Sequence, residues 1–201
     1  MELNFAELEP KLRYKLLIGL VYPRPIALVS TINASGVPNA APFSFFNVVA
    51  DEPPLVMLSF NRRSDGALKD TVKNIRRTGE FVVNLVDEAI ANGMLVCGQE
   101  LPETASEFAA AGFTPVPSVA VAPPRVKEAP ASLECRLLQR IELGPAREII
   151  LGEVLRAHAR EGLVDPATFR VSEAYRPIGR LYGDSYCTTR QRFDLPGPLP
   201  E

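Results

Sequence analysis

The chain has 201 residues, 46% of them hydrophobic and 23% charged, with a net charge of −2. That is the composition of a globular protein with a sizeable core; it excludes a disordered chain, and no run of about 18 apolar residues offers a membrane span. Near-neutral charge gives no ground for a nucleic-acid partner, and Cys97, Cys135 and Cys187, widely spaced and without a histidine cluster, read as buried reduced thiols rather than disulfides or metal ligands.

The acidic start lacks the basic-then-apolar order of a secretory signal, so a cytoplasmic location is the expectation. Leu16, Leu17 and Leu20 place a short helix in the lead-in, packed on the rest of the fold and stopped by Pro23 and Pro25. Ile26 to Thr31 is a β-branched-rich run, Asn33-Ala34-Ser35-Gly36 supplies a turn, and Val37 to Asn47 returns as the second arm of a hairpin. Pro38 and Pro42 require that arm to be an edge, a bulge or an irregular exit. Backbone groups from Ala40 to Asn47 are then expected free of strand pairing, beside Ser30, Thr31, Ser44 and Asn47. Such groups suit the edge of a flat heterocycle.

Leu55 to Phe60, interrupted by Ser59, reads as a buried strand. A loop from Asn61 to Gly66 leads to a helix marked by Leu68, Val72 and Ile75, capped by Ser64 or Asp65 and ended by Gly79. Glu80 to Val86 is another buried strand, and residues 87–97 are helical around Gly93. Thr104 and Glu107 have the form of a capping box for a helix ending at Gly112. The proline-rich residues 113–130 form an ordered loop. Leu133 to Leu143 alternates apolar residues with Glu134, Arg136, Arg140 and Glu142, and pairs across Gly144-Pro145 with Ile149 to Ala159. A short helix is expected from Asp165. One domain over residues 1–201 is expected, with its core at about 20–160 and an extension over 161–201. Strands outnumber helices and hairpins recur, so the fold class is mainly β, a barrel with flanking helices.

The usual nucleotide, zinc and serine-hydrolase motifs are absent, and His158, the only histidine, reads as structural or surface. No residue is assigned to acid–base catalysis or to a metal. From Arg62 to Arg77 six cations outnumber two aspartates, a local net of +4 against −2 for the chain. Arg76, Arg77 and Lys73 are explained by the helix dipole and a solvated face. Arg62, Arg63 and Lys69 instead stand at a helix start, where free N–H groups favour a phosphate; Asp70 is placed to orient a cation and Thr71 to donate a hydroxyl. A flat heterocycle at one end and a phosphate at the other describe FMN.

The segments Pro-Arg-Pro-Ile-Ala-Leu-Val-Ser-Thr, Gly-x-x-Asn-Ala-Ala-Pro-Phe-Ser-Phe-Phe-Asn, Pro-Pro-Leu-Val-Met-Leu-Ser-Phe and Lys-Asp-Thr-x-x-Asn-Ile resemble the flavin reductase-like, FMN-binding split-barrel family, which includes flavoredoxin. The resemblance is close over residues 22–86 and looser beyond. It implies a Greek-key split barrel, a homodimer, and FMN near the subunit interface. Carried over, Ser30, Thr31 and the backbone of Ala41, Pro42, Phe43, Ser44 and Phe45 line the flavin. Ser44 and Asn47 bond its polar groups. Ser59, Arg62, Lys69, Asp70 and Thr71 form the phosphate end, and Arg180 and Tyr182 approach the ring; core packing is the preferred reading of Phe43, Phe45 and Phe46.

The activity implied is hydride transfer from NADH or NADPH, as a transient co-substrate, to flavin or another small acceptor, with a partner oxygenase or electron-transfer protein as a further expectation. The alternatives are an FMN-binding electron carrier reduced by a protein partner, and a non-catalytic flavin-binding protein.

Overall fold

Pro38 and Pro42 lie where a proline does least harm to a sheet. In the computed structural model, which describes residues 1–99, 101–102 and 105–195, β1 (Ala27–Ile32) pairs antiparallel with β2 (Pro38–Phe43) as the expected hairpin, and β2 is an edge strand. On its outer side the Ser106 hydroxyl donates to the Pro38 carbonyl and the Ala40 N–H donates to Glu107. The two-residue period puts Pro42 on that same side, so neither proline removes a bond from the β1–β2 ladder.

With β3 (Phe46–Asp51), β4 (Pro54–Asn61), β5 (Glu80–Leu85), β8 (Ala131–Leu143) and β9 (Arg147–Ala159), these strands form one antiparallel sheet in the order β2-β1-β5-β8-β9-β4-β3. Short strands β6 (Pro115–Val116) and β7 (Arg125–Val126) pair separately within the proline-rich arm. The two sheet edges, β2 and β3, are linked through Ser44 and Phe45, and the Phe45 carbonyl accepts the Ser59 N–H at 2.9 Å. The sheet thus curls into the expected Greek-key split barrel, with its seam between β2 and β3. Much of the Ala40–Asn47 backbone expected to be free is therefore engaged.

Val29, Phe43, Phe46, Leu58, Phe60, Phe81 and Ile150 fill the barrel, joined by Val72 and Ile75 of α2 (Asp70–Thr78). Gly152 of β9 makes room for this packing: a Cβ there would lie 2.3 Å from the Phe81 ring. β1 is buried on both faces because a second apolar cluster, including Leu28, Met94, Phe108 and Phe113, lies on its other side against α3 (Ala91–Val96) and α4 (Glu107–Ala111). That second layer explains the unbroken apolar run of β1.

Several expectations are corrected. The helix α1 (Pro10–Leu20) forms, but none of its residues is buried. β4 alternates, with Val56, Leu58 and Phe60 buried and Leu55, Met57 and Ser59 half-buried. Lys69, not Ser64 or Asp65, is the N-cap of α2, whereas Gly79 ends it at φ 72° as expected. The Thr104 cap falls outside the described residues, and Glu107 turns towards β2. No helix follows Asp165; its carboxylate accepts the N–H groups of Ala167 and Thr168 in a turn. The chain then returns through β10 (Ile178–Arg180) and β11 (Tyr186–Thr188), with Arg180 bridging Arg24. Glu134, expected on the solvated side of its strand, is fully buried: it accepts the Val119 and Ala120 N–H groups at 2.9 and 2.6 Å and lies 2.5 Å from His158 Nε2. His158 is structural, as expected. No described helix is long and apolar enough to cross a membrane.

Candidate functional site

A groove runs along β2 from the end of α1 to the start of α2. Its wide part is a cavity of about 740 Å³ walled by Pro42, Phe43 and Ser44. Tyr14 and Ile18 of α1 face it, as do Met94, Gly98 and Gln99 from the α3 side. Pro42, Phe43, Gly98 and Gln99 also wall a narrower cleft of about 100 Å³ that reaches Arg63, Lys69, Asp70 and Thr71.

The narrow end is built by the entry into α2. Lys69 is half-buried, and its ammonium has no partner among the described residues. No side chain caps the helix, so its first N–H groups and its dipole both favour an anion. Asp70 accepts Arg63 Nη2 at 2.6 Å and Lys73 Nζ at 2.8 Å, so its charge is countered by two cations. The buried Thr71 and Thr31 hydroxyls donate to Asn39 Oδ1 at 3.3 and 3.2 Å, and Asn39 in turn donates to Glu107 at 3.0 Å. Burial pushes the Glu107 carboxyl up, against the opposing bonds from backbone N–H groups and Asn39.

At the wide end the half-buried Ser44 hydroxyl has no partner among the described residues. Phe45 turns to the other side of the seam, where the Arg147 guanidinium sits 4.7 Å from its ring centre and the Tyr14 ring 6.4 Å away. Arg147 also donates to Ser59 Oγ at 3.2 Å, and burial pushes its pKa below the ordinary arginine value.

Of the site residues read from sequence, Ala41, Pro42, Phe43, Ser44, Lys69, Asp70, Thr71 and Arg180 come together along this groove. The others do not line it. Ser30 is fully buried, donating to the Pro124 carbonyl at 2.5 Å and accepting from Asn84, and Thr31 is spent on Asn39 and Asn74. Asn47 is exposed, its side chain accepting the Val48 N–H. Phe45 and Ser59 belong to the Arg147 cluster. Arg62 is exposed and tied to the Pro145 and Gly66 carbonyls. Tyr182 faces Lys15 of α1, outside the cavity wall. Arg63 rather than Arg62 reaches the groove, where Asp70 accepts its Nη2.

Sequence reasoning missed Tyr14, Arg24, Gln99 and Tyr186 on the cavity wall. Arg24 carried one signal, its place inside Pro-Arg-Pro; the other three carried none, because distant segments bring them to the site.

The model of one protein family, described as the flavin reductase like domain, matches residues 19–179. An uncharacterized protein of Aquifex aeolicus is 47% identical, the match covering 92% of this chain and 94% of that one. Among solved structures, the 2-nitrobenzoate 2-nitroreductase of Pseudomonas fluorescens superposes with a TM-score of 0.92 at 39% identity, over 100% of this chain and 99% of its own. The nitrilotriacetate monooxygenase component B of Bacillus cereus does so with a TM-score of 0.92 at 38% identity, over 97% and 98% of the two chains.

Proposed function

We propose that this chain, which belongs to the flavin reductase-like family, is an FMN-dependent oxidoreductase that takes hydride from NADH or NADPH and passes electrons to free flavin or another small acceptor. The observation that carries this reading is the pair of adjoining pockets, sharing Pro42, Phe43, Gly98 and Gln99, that hold the free Ser44 hydroxyl in one and the unpartnered Lys69 at the uncapped start of α2 in the other. An elongated site with an apolar flank, a hydroxyl partway along and a cationic end fits FMN. When bound, FMN supplies the hydride and electron transfer chemistry.

The chain's own residues hold and shield. Lys69 and the first N–H groups of α2, that of Thr71 among them, receive the phosphate, with Arg63 fixed beside them by Asp70. Ala41 to Ser44 flank the ring, and Ser44 donates to its polar edge or to the ribityl chain. Tyr14 and Ile18 leave one side of the cavity open, where a nicotinamide nucleotide docks transiently. A second copy of the chain covers α1, whose Leu12, Leu17 and Leu20 are exposed together with Val48 and Val49 of β3. The two solved relatives support two fates for the electrons: one is named for reducing a nitro compound, the other as a component of a monooxygenase. Electrons therefore go to a small organic acceptor or, on reduced flavin, to a partner oxygenase.

Anaerobic rapid mixing of the FMN-loaded protein with NADH and with NADPH tests the reading. Bleaching of the bound flavin by either nucleotide is expected. Bleaching only through a reduced protein partner would make the chain an electron carrier, and bleaching by neither would make it a binding protein.

A further inference from the structure

We propose that the part of the large cavity lined by Arg24 and Arg180, whose backbones bridge, seats an oxyanion carried by the ligand that shares the cavity with the flavin. Calling that ligand the second substrate rests on the function proposed above; the anion seat itself rests on the residues alone.

Arg24 is 8% exposed and has no carboxylate partner among the described residues. Its Nη1 donates to the Ile18 and Val21 carbonyls at 2.8 and 2.7 Å and its Nη2 to the Leu181 carbonyl at 2.8 Å. Its Nε is buried without any hydrogen-bond partner among the described residues. A charged group that has lost water is disfavoured unless a counter-charge stands near it. Burial pushes its pKa below the ordinary arginine value, and Arg180 acts in the same direction.

Arg180 does not relieve this. Its carboxylate partner, Asp184, stands 3.4 Å away and is fully exposed, where solvent screens the pair. Its Nη1 donates to the Tyr186 hydroxyl, and its guanidinium lies 4.5 Å from the centre of that ring. Two cations thus line one cavity, and its one carboxylate among the described residues, Asp184, is fully exposed. Ile26, Phe43, Met94 and Leu95 give the cavity an apolar wall, and Tyr14, Ser44, Gln99 and Tyr186 give it polar groups as well. The site therefore selects an anion on an apolar frame, next to the Pro42–Ser44 edge.

A carboxylate on a small aromatic acceptor and the pyrophosphate of a nicotinamide nucleotide both present this chemistry. Calorimetric titration of benzoate, its neutral counterpart benzamide, and ADP-ribose into the protein, with and without FMN, separates them. At least one of the two anions should bind more than about tenfold tighter than benzamide, and the one that does names the source. Arg180→Gln should abolish that preference and Arg180→Lys should retain part of it, with circular dichroism verifying the fold. Arg24→Lys, which keeps the charge but loses the fork, should weaken the anion without abolishing its binding. If benzamide binds as tightly as both anions, or if Arg180→Gln leaves the preference intact, the proposal is overturned. If the native protein fails to bind FMN yet keeps the anion preference, the proposed function falls and the anion seat stands.

Discussion

Arg63 donates through Nη2 to Oδ2 of Asp70 at 2.6 Å, holding its charge over the cleft at the start of α2. Its neighbour Arg62 is bound to loop carbonyls outside that cleft. Lys69→Ala is therefore expected to weaken FMN by about ten- to a hundredfold while leaving riboflavin nearly unchanged, since a charge-assisted bond to phosphate is worth about 1.5–3 kcal/mol. Arg62→Ala should leave the FMN-to-riboflavin ratio alone, and Asp70→Asn, which frees Arg63, should shift it modestly. Fluorescence titration with both ligands reads all three.

Ser44→Ala tests the other end of the groove. Its hydroxyl is free to meet the ring or the ribityl chain, so both ligands should weaken alike, by about 0.5–1.5 kcal/mol. A loss confined to FMN would move Ser44 to the phosphate.

Glu134 makes stability depend on pH. Burial alone would raise its carboxyl, but the Val119 and Ala120 N–H groups and His158 outweigh it and hold the pKa below the ordinary value, with Arg125 4.0 Å away. A lowered folded-state pKa gives stability that is complete above the unfolded value of about 4.3 and lost as pH falls through the folded value. Glu134→Gln should cost about 1–3 kcal/mol at pH 7, and the gap from the native protein should narrow in acid. Urea unfolding at several pH values measures both.

Gly152→Ala should destabilise the fold by about 1–3 kcal/mol, because the added methyl meets the Phe81 ring inside a packed barrel. Gly144→Ala meets no atom within 4 Å, although its φ of 65° carries a backbone penalty. Comparing the two unfolding midpoints separates crowding from backbone strain.

Leu17→Glu combined with Leu20→Glu should leave a folded monomer, since α1 buries none of its residues within one chain. Light scattering that shows the same mass for variant and native protein, both dimeric, would remove α1 from the interface.

Much of the barrel was legible in the sequence because the signals were local. Pro38 and Pro42 announced the edge strand, Gly79 the end of α2, and Gly144-Pro145 the long hairpin. The site was legible where it lies on one segment, as in Ala41 to Ser44 and Lys69 to Thr71. Period-two reasoning put Glu134 on the face away from the barrel, but that face is covered by the proline-rich arm, whose Val119 and Ala120 N–H groups donate to its carboxylate. Ser30 and Thr31 looked like ligand hydroxyls, yet Pro124 and Asn84 consume the first and Asn39 and Asn74 the second. Arg24 and Tyr186 line one cavity only because β10 and β11 fold back across the chain and Arg180 bridges Arg24, a pairing that no local pattern carries.

Cys97 stands on the wall of the narrow cleft, and burial pushes its thiol up to about 12; Cys135, inside the barrel, is pushed to about 12 as well. A thiol held this firmly in its protonated form is a poor nucleophile and is slow to be oxidised. On the function proposed above, this spares both thiols from oxidation beside a reduced flavin. Alkylating reagents should likewise pass over both residues in the native state and find them only when the barrel opens, which makes thiol labelling a clock for unfolding.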